Sequence, residues 1–328
     1  MNATRYLKQE SNHLPWRAFL NGLSYISNRF EQQKFQQNYN KYILDLLSNI
    51  YNKIGFSDDD EEEHLNKLNR EMILQWACKL NKAECVKTSK TMFNDWRNNN
   101  TLKIPRDARS AVYCTAIKNG TKEDWDFLWK QYVQTNFASE KKIIINALGC
   151  SIDEKVLQNY LEEAIKKKVI KHDPASIRRQ DVAAVFTSVY SAGSIGVDVT
   201  LKFLVTNTEN LYEYFGKWDD VADLFVNLAP YISTTDQRDT LENYINENMA
   251  SFPKPIRQKF TSALTTANGN LLWFKDNGPK ISQWILRVQE TEEKEKPEAE
   301  PDSSTRIESL NIVLTSLIAL MSYFLSHL

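Results

Sequence analysis

Apolar side chains recur every three or four positions along most of this chain, which is the spacing of an amphipathic helix, and no stretch alternates convincingly as a strand. Glycines and prolines cluster between the periodic segments, where short turns would join them. The pattern predicts about a dozen helices of modest length. We therefore expect an all-α protein whose antiparallel helix pairs stack side by side in an α-solenoid, although no internal repeat has a fixed period.

One predicted helix follows the acidic run DDDEEEH, with Ser57 as its capping residue. Carboxylates in this position stabilise a helix because they face the positive end of its dipole. A cation site is the alternative interpretation, but consecutive carboxylates on a helix point in different directions and the glycine of a calcium loop is missing. The predicted apolar face of this helix consists of Leu65, Leu68, Met72, Ile73 and Trp76.

The clearest helix start lies after Gly120, where Thr121 and Asp124 have the spacing of a capping box. The helix that follows carries a mostly aromatic stripe: Trp125, Leu128, Trp129 and Tyr132. Such a stripe could form a ligand cage, but its spacing is also what a helix needs to pack against a neighbour. We expect packing.

The net charge and the residue types narrow the classes of function that this chain can have. Lys plus Arg number 41 and Asp plus Glu number 42, so a net charge of -1 provides no field for nucleic acid, and no nucleic-acid partner is expected. None of the four histidines lies one helical turn from another, as an HExxH zinc site requires; they are His13, His64, His172 and His327. The sequence has no GxSxG elbow, phosphate-binding glycine loop or CxxC pair. We expect neither a metal site nor a catalytic nucleophile in this chain.

The cysteines and the glycosylation sequons both depend on the compartment. The even count of four, Cys78, Cys85, Cys114 and Cys150, is compatible with two disulfides or with four reduced thiols. Three Asn-x-Thr sequons, at Asn2, Asn99 and Asn119, allow glycosylation if the chain enters the secretory pathway.

The C-terminal stretch has the order of a glycolipid-anchor signal. A charged, Pro-containing linker leads to small residues, where Asp302 or Ser303 is the candidate attachment site, and a polar spacer precedes an apolar tail at 312–328. A membrane helix is one alternative, but 17 residues fall short of the ~20 needed to span a bilayer. A simple amphipathic tail is another.

The N-terminus has no apolar region and no cleavage site of a signal peptide, although a glycolipid anchor requires entry into the endoplasmic reticulum. We expect that the chain begins inside a longer protein whose N-terminal part carries that signal. The predicted domains are a helical domain at 1–289, a charged linker with the attachment region at 290–306, and the spacer and tail at 307–328.

Five segments, in this order, resemble the C-terminal helical domain of aminopeptidase N, a gluzincin zinc peptidase. They are LPWRAFLNGLSYI from Leu14, CKLNKAEC from Cys78, IPRDARSAVYCTAIKNGTKEDWDFLWKQY from Ile104, SIRRQDVAAVF from Ser176, and LLWFKDNGPKISQWI from Leu271. The resemblance covers about residues 5–286. The zinc motif HExxH, the GAMEN segment and the catalytic Tyr of that family lie in preceding domains, and no position here matches them.

The resemblance implies a right-handed superhelix of HEAT-like helix pairs that packs over a catalytic domain and lines a cavity for peptides. It implies disulfides between Cys78 and Cys85 and between Cys114 and Cys150. Zinc would belong to the missing catalytic domain, and this chain would hold no cofactor. The tail is similar to that of glycolipid-anchored insect gut enzymes, which implies the extracellular face of the plasma membrane. Those enzymes are docking sites for bacterial toxins, so toxin docking is one form of the alternative function below. Contacts between subunits of a homodimer belong to the leading hypothesis.

The leading hypothesis is the non-catalytic C-terminal portion of a membrane-anchored zinc aminopeptidase, inactive alone. The alternative is a stand-alone adhesion or receptor module of the cell surface. Arg178 and Arg179 are the candidate cavity residues, because two cations near a helix start could meet peptide carboxylates. An ordinary surface ion pair with Asp181 is the competing interpretation.

Overall fold

The computed structural model describes residues 2–57, 61–99, 101–166 and 177–294. Within these ranges the chain forms fourteen α-helices and five short 3-10 helices, and it contains no strand. The prediction of an all-α protein is confirmed. Some of the residues named in the sequence analysis lie outside the described ranges. They are His172 and the C-terminal residues 295–328, which include Asp302, Ser303 and His327.

The helices follow one another through short connections. After a 3-10 helix at Asn2–Gln9 come α1 (His13–Phe30), α2 (Gln36–Ile54), α3 (His64–Lys79), α4 (Ala83–Asn98), α5 (Arg109–Lys118), α6 (Lys122–Gln134), α7 (Ala138–Leu148), α8 (Glu154–Ala164), α9 (Val182–Ala192), α10 (Ser194–Thr206), α11 (Thr208–Phe215), α12 (Trp218–Leu228), α13 (Thr235–Asn248) and α14 (Lys254–Lys294). The remaining 3-10 helices are Arg106–Ala108, Arg179–Asp181, Ala229–Tyr231 and Met249–Ser251.

The chain divides into two compact units, Met1–Gln283 and Trp284–Leu328. The described part of the second unit is the end of α14, which runs to Lys294 and thus enters the segment 290–306 predicted as a linker. All packing described below lies within the first unit.

Four helices of the first unit form a row. Helix α5 packs against α3 on one side and α7 on the other, and α7 packs in turn against α9. The intervening helices cover this row: α4 contacts α3 and α5, α6 contacts α5 and α7, and α8 contacts α9. This arrangement of stacked helix pairs is compatible with the predicted solenoid, while its handedness stays a prediction.

The start of α6 shows how local sequence positions an element. Thr121 and Asp124 form the predicted capping box, in which the Thr121 backbone N–H donates to the Asp124 carboxylate at 2.9 Å. The aromatic stripe packs as predicted: the rings of Trp125 and Trp129 stack at 5.6 Å, and the Trp125 indole N–H donates to the Leu148 carbonyl. Tyr132 is fully buried on the same face. The stripe therefore fixes α6 against α7.

The predicted start and face of α3 are wrong in part. The helix begins at His64, with Glu63 and not Ser57 in the cap position, and Leu65 is 52% exposed. Two polar residues, Asn69 and Arg70, occupy the buried face instead, together with Ile73, Leu74, Ala77 and Cys78. Arg70 tolerates burial because its guanidinium pairs with Glu62 at 2.6 Å and with Asp107 at 3.4 Å. Glu62 of the acidic run thus serves an ion pair inside the protein.

Candidate functional site

A cavity of about 630 Å³ lies over the row formed by α3, α5, α7 and α9. Each helix contributes side chains spaced by one turn, because residues three and four apart share one face of a helix. The charged residues of the lining are Glu71 and Lys79 of α3, Lys118 of α5 and Lys142 of α7. With three ammonium groups and one carboxylate, the cavity is net positive in a chain whose total charge is -1.

Two of these lysines meet the C-terminal ends of helices. The Lys79 ammonium donates to the Ser191 carbonyl near the end of α9 at 3.5 Å, and the Lys118 ammonium donates to the carbonyl of Lys79 at 3.4 Å. Cations are favourable at helix C-termini, where carbonyl groups carry the negative end of the dipole. Both lysines are therefore held where three helix ends converge.

Burial in this concavity lowers the pKa of Lys79, and the nearby Lys118 lowers it further, whereas Glu31 acts in the opposite direction. Burial likewise lowers the pKa of Lys118, again against the effect of Glu31. The Lys79 side chain keeps contact with solvent although protein surrounds it. An anion entering the cavity would therefore meet ammonium groups whose protonated form its negative charge would stabilise.

Glu31, in the loop that follows α1, contacts the same end of the row. Its carboxylate accepts from the Ser194 backbone N–H at 3.0 Å, at the start of α10. A side-chain carbon at Gly193 would lie only 2.6 Å from that carboxylate, so a larger residue there would displace the end of the Glu31 side chain. The loop after α1 is thereby held at the end of the cavity that contains Lys79 and Lys118.

The structure places the arginines of the SIRRQDV segment elsewhere. The Arg178 guanidinium pairs with Asp181 at 2.5 Å, which raises the pKa of Arg178, and Arg179 donates to the Phe215 carbonyl at 2.7 Å. Neither arginine lines the cavity. The contact between Arg178 and Asp181 is the surface ion pair that was the alternative interpretation of this segment. The lysines that do line the cavity carry no sequence motif, because their neighbourhood arises only when separate helices pack.

Both disulfides are formed. Cys78 and Cys85 join α3 to α4 with 5.2 Å between their Cα atoms, and Cys114 and Cys150 join α5 to the end of α7 with a Cα separation of 5.3 Å. These are the pairs that the family resemblance implies. Cys78, Cys114 and Cys150 line the cavity, so the bridges fix the spacing of its floor.

Two of the three sequons can be described, and both lie on exposed corners. The Asn99 side-chain oxygen accepts from the Thr101 hydroxyl at 2.8 Å, and the Asn119 side-chain amide donates to the Thr115 carbonyl at 2.9 Å. Asn2 lies in the first 3-10 helix. The side chains of Asn99 and Asn119 are both exposed to solvent.

The described part of the chain offers no group of three His, Cys, Asp or Glu side chains that could hold a metal ion. His13 is buried and its ring nitrogen shares a hydrogen bond with Asn69 at 3.0 Å, and His64 is exposed at the start of α3. Among the helices of the described ranges, none combines the length and apolar character needed to span a bilayer.

Comparison with known proteins identifies relatives of nearly the whole chain. The family model of the ERAP1-like C-terminal domain matches residues 1–265. The aminopeptidase N of Plutella xylostella is 23% identical over 317 residues, which cover 97% of this chain and 32% of that protein. The aminopeptidase N of Canis lupus familiaris is 29% identical, covering 87% of this chain and 29% of that protein. The thyrotropin-releasing hormone-degrading ectoenzyme of Rattus norvegicus is 25% identical, with 86% and 26% covered.

The chain thus spans about a third or less of the length of these relatives. The family match confirms the resemblance drawn from the five sequence segments. Together with the all-helical fold and its paired disulfides, it leads to one assignment: the chain belongs to the ERAP1-like C-terminal domain family, the C-terminal domain of aminopeptidase N-like enzymes.

Proposed function

We propose that this chain is the helical C-terminal part of a membrane-anchored zinc aminopeptidase, and that the cavity over α3, α5, α7 and α9 faces the catalytic domain and lines the chamber for peptides. The observation that carries the proposal is the net positive concavity of about 630 Å³ in a domain of aminopeptidase relatives. It is large enough for a short peptide, since small-molecule sites commonly measure several hundred Å³.

Zinc in the catalytic domain would polarise the scissile carbonyl and activate water. The described residues of this chain do not fit that metal, so their contribution is indirect. A domain that covers the site excludes bulk water and limits entry to flexible peptides. Lys142 is an exposed cation of the cavity lining, and it would attract the carboxylate of a bound peptide.

The cellular setting follows from the same proposal. Two disulfides favour an oxidising compartment, and the C-terminal signal with Asp302 or Ser303 as the attachment site favours a glycolipid anchor on the extracellular face of the plasma membrane. One relative is named an ectoenzyme, which supports that location. A second copy of the chain as a homodimer partner remains part of the proposal.

The test combines the purified chain with a separately produced catalytic half. We expect no aminopeptidase turnover from the chain alone, low turnover from the catalytic half, and restored turnover from the mixture. The variant Lys142→Glu should raise KM about fivefold for peptides with a free terminal carboxylate but not for their amidated analogues, because an attraction becomes a repulsion. Lys155→Glu on α8 makes the same charge change at an exposed residue outside the cavity lining and should have no effect.

Two results would contradict the proposal. A catalytic half whose activity is unchanged by the chain would exclude a covering role and favour a stand-alone receptor module. Equal effects of Lys142→Glu and Lys155→Glu would show that the lysines of the cavity do not meet peptide.

A further inference from the structure

A second hollow, of about 490 Å³, lies at the corners that join α3 to α4, α5 to α6 and α7 to α8. Its apolar lining comes from Ala83, Val86 and Ile152, and Asn81, Lys87 and Lys118 add polar groups. Lys118 also lines the cavity over the row. Ile152 is 57% exposed, so its aliphatic side chain is open to contact from outside the chain. The hollow is therefore a mixed surface with an uncovered apolar centre.

The sequon residue Asn119 belongs to the lining of this hollow. Its side-chain nitrogen Nδ2 donates to the Thr115 carbonyl at 2.9 Å, and this bond holds the amide at the C-terminal end of α5. A primary amide has two N–H groups, and the bond to Thr115 uses one of them. The second leaves a position on Nδ2 to which a substituent can be attached while one N–H remains.

We propose that Asn119 carries an N-linked glycan and that the hollow is the seat of its first sugar residues. In the attachment step, Nδ2 forms a bond to C1 of the terminal N-acetylglucosamine of a lipid-diphosphate oligosaccharide. The lipid diphosphate leaves with the electron pair of the broken C1–O bond, and Nδ2 loses one proton. The glycosylated amide keeps one N–H for the Thr115 carbonyl.

The chemistry of the hollow matches the core of a glycan. An N-acetylglucosamine presents an apolar ring face and a methyl group, which suit Ile152 and Val86, and its hydroxyl and amide groups suit Asn81 and Lys87. The covalent link supplies a high effective concentration, so weak contacts suffice to hold the sugar in place. A seated core would cover Ile152 and connect three successive corners of the helical row.

Asn99 provides an internal comparison. It also stands in an exposed sequon, but its side chain closes a local turn with the backbone N–H and hydroxyl of Thr101. Asn99 lines neither this hollow nor the cavity over the row. A glycan at Asn99 is therefore expected to project into solvent.

The experiment uses the full chain secreted from a eukaryotic host behind an added signal peptide, with glycans kept in a high-mannose form. Glycopeptide mapping should find Asn119 occupied, and an unmodified Asn119 would overturn the proposal. The same digest reports the disulfides. A bare Asn119 with both bridges intact contradicts only the glycan, whereas a bare Asn119 with free thiols also contradicts the secretory route that the proposed function assumes.

Seating is tested with an endoglycosidase that cuts between the first two N-acetylglucosamine residues. We expect cleavage at Asn119 to be about tenfold slower in the native protein than after denaturation, equivalent to about 1.4 kcal/mol of contact. Ile152→Ser should remove most of this protection, and Ile195→Ser, which changes an exposed isoleucine outside the hollow, should not. Equal native and denatured rates, or equal effects of the two substitutions, would overturn the seat.

Discussion

Asn270 of α14 joins three parts of the first unit through one buried side chain. Its amide nitrogen donates to the carbonyls of Ala229 and Ile232, both at 3.0 Å, and its oxygen accepts from the Arg29 guanidinium of α1. Asn270 is 4% exposed and Arg29 is 2% exposed, so water cannot replace these bonds. We predict that Asn270→Leu strongly destabilises the protein although the two side chains have the same number and branching of heavy atoms.

The magnitude follows from the groups that lose a partner. A buried cation that loses a hydrogen bond costs about 2–3 kcal/mol, and each of two buried carbonyls costs about 1 kcal/mol more. The extra apolar surface of leucine returns about 1 kcal/mol. The expected loss is about 3.5 kcal/mol in the free energy of unfolding. With an unfolding entropy of ~2 cal/mol/K per residue, this lowers Tm by about 6 °C in a unit of this size.

The assay is thermal unfolding followed by circular dichroism, repeated with urea to obtain the free energy of unfolding. Asn277→Leu is the matched control on the same helix, because among the described residues the Asn277 amide donates to the Trp273 carbonyl of its own helix and to no other element. It should change Tm by about 1 °C or less. If both variants lowered Tm equally, or Asn270→Leu by no more than the control, the assigned role of the three-way hydrogen bonding would be refuted.

Peptide mapping without reduction should recover Cys78 linked to Cys85 and Cys114 linked to Cys150, and a Cys78–Cys114 peptide would contradict the fold of the cavity floor. Replacing both cysteines of a pair by serine should cost about 2.5 kcal/mol for the short loop and about 4 kcal/mol for the long one, measured by urea unfolding. A phosphatidylinositol-specific phospholipase should release the mature protein from cells, whereas recovery of the 312–328 peptide from membranes would indicate a membrane helix.

The features that could be predicted from sequence are those decided within a few residues. The capping box of Thr121 and Asp124 is one, because both partners stand on the same turn of backbone. The packing of Trp125 and Trp129 is another, since helical spacing places both rings on one face whatever the neighbour. Five ordered segments were sufficient to identify the family, because both the segments and their order can be read directly along the sequence.

The face of α3 could not be predicted in the same way. Leu65 is apolar and exposed, while Arg70 is charged and buried, which reverses the usual preference of each residue. The reversal depends on Asp107, which lies 37 residues further along the chain and completes the partners of the Arg70 guanidinium. A helix pattern alone contains no information on such a distant counter-charge.

For this protein, the sequence by itself determined the helical class, the start and packing face of α6, and the family, because periodicity, caps and ordered segments are local properties. Only the tertiary structure decided where charge accumulates. Lys79 and Lys118 are 39 residues apart in the chain, yet both lie at one end of the cavity with Glu31. Arg178 and Arg179, adjacent and conspicuous in the sequence, lie outside the cavity lining. Side chains from separate helices come into contact only when the helices pack. The packing and electrostatic interactions that decide which side chains meet are long-range, so no local sequence pattern contains them.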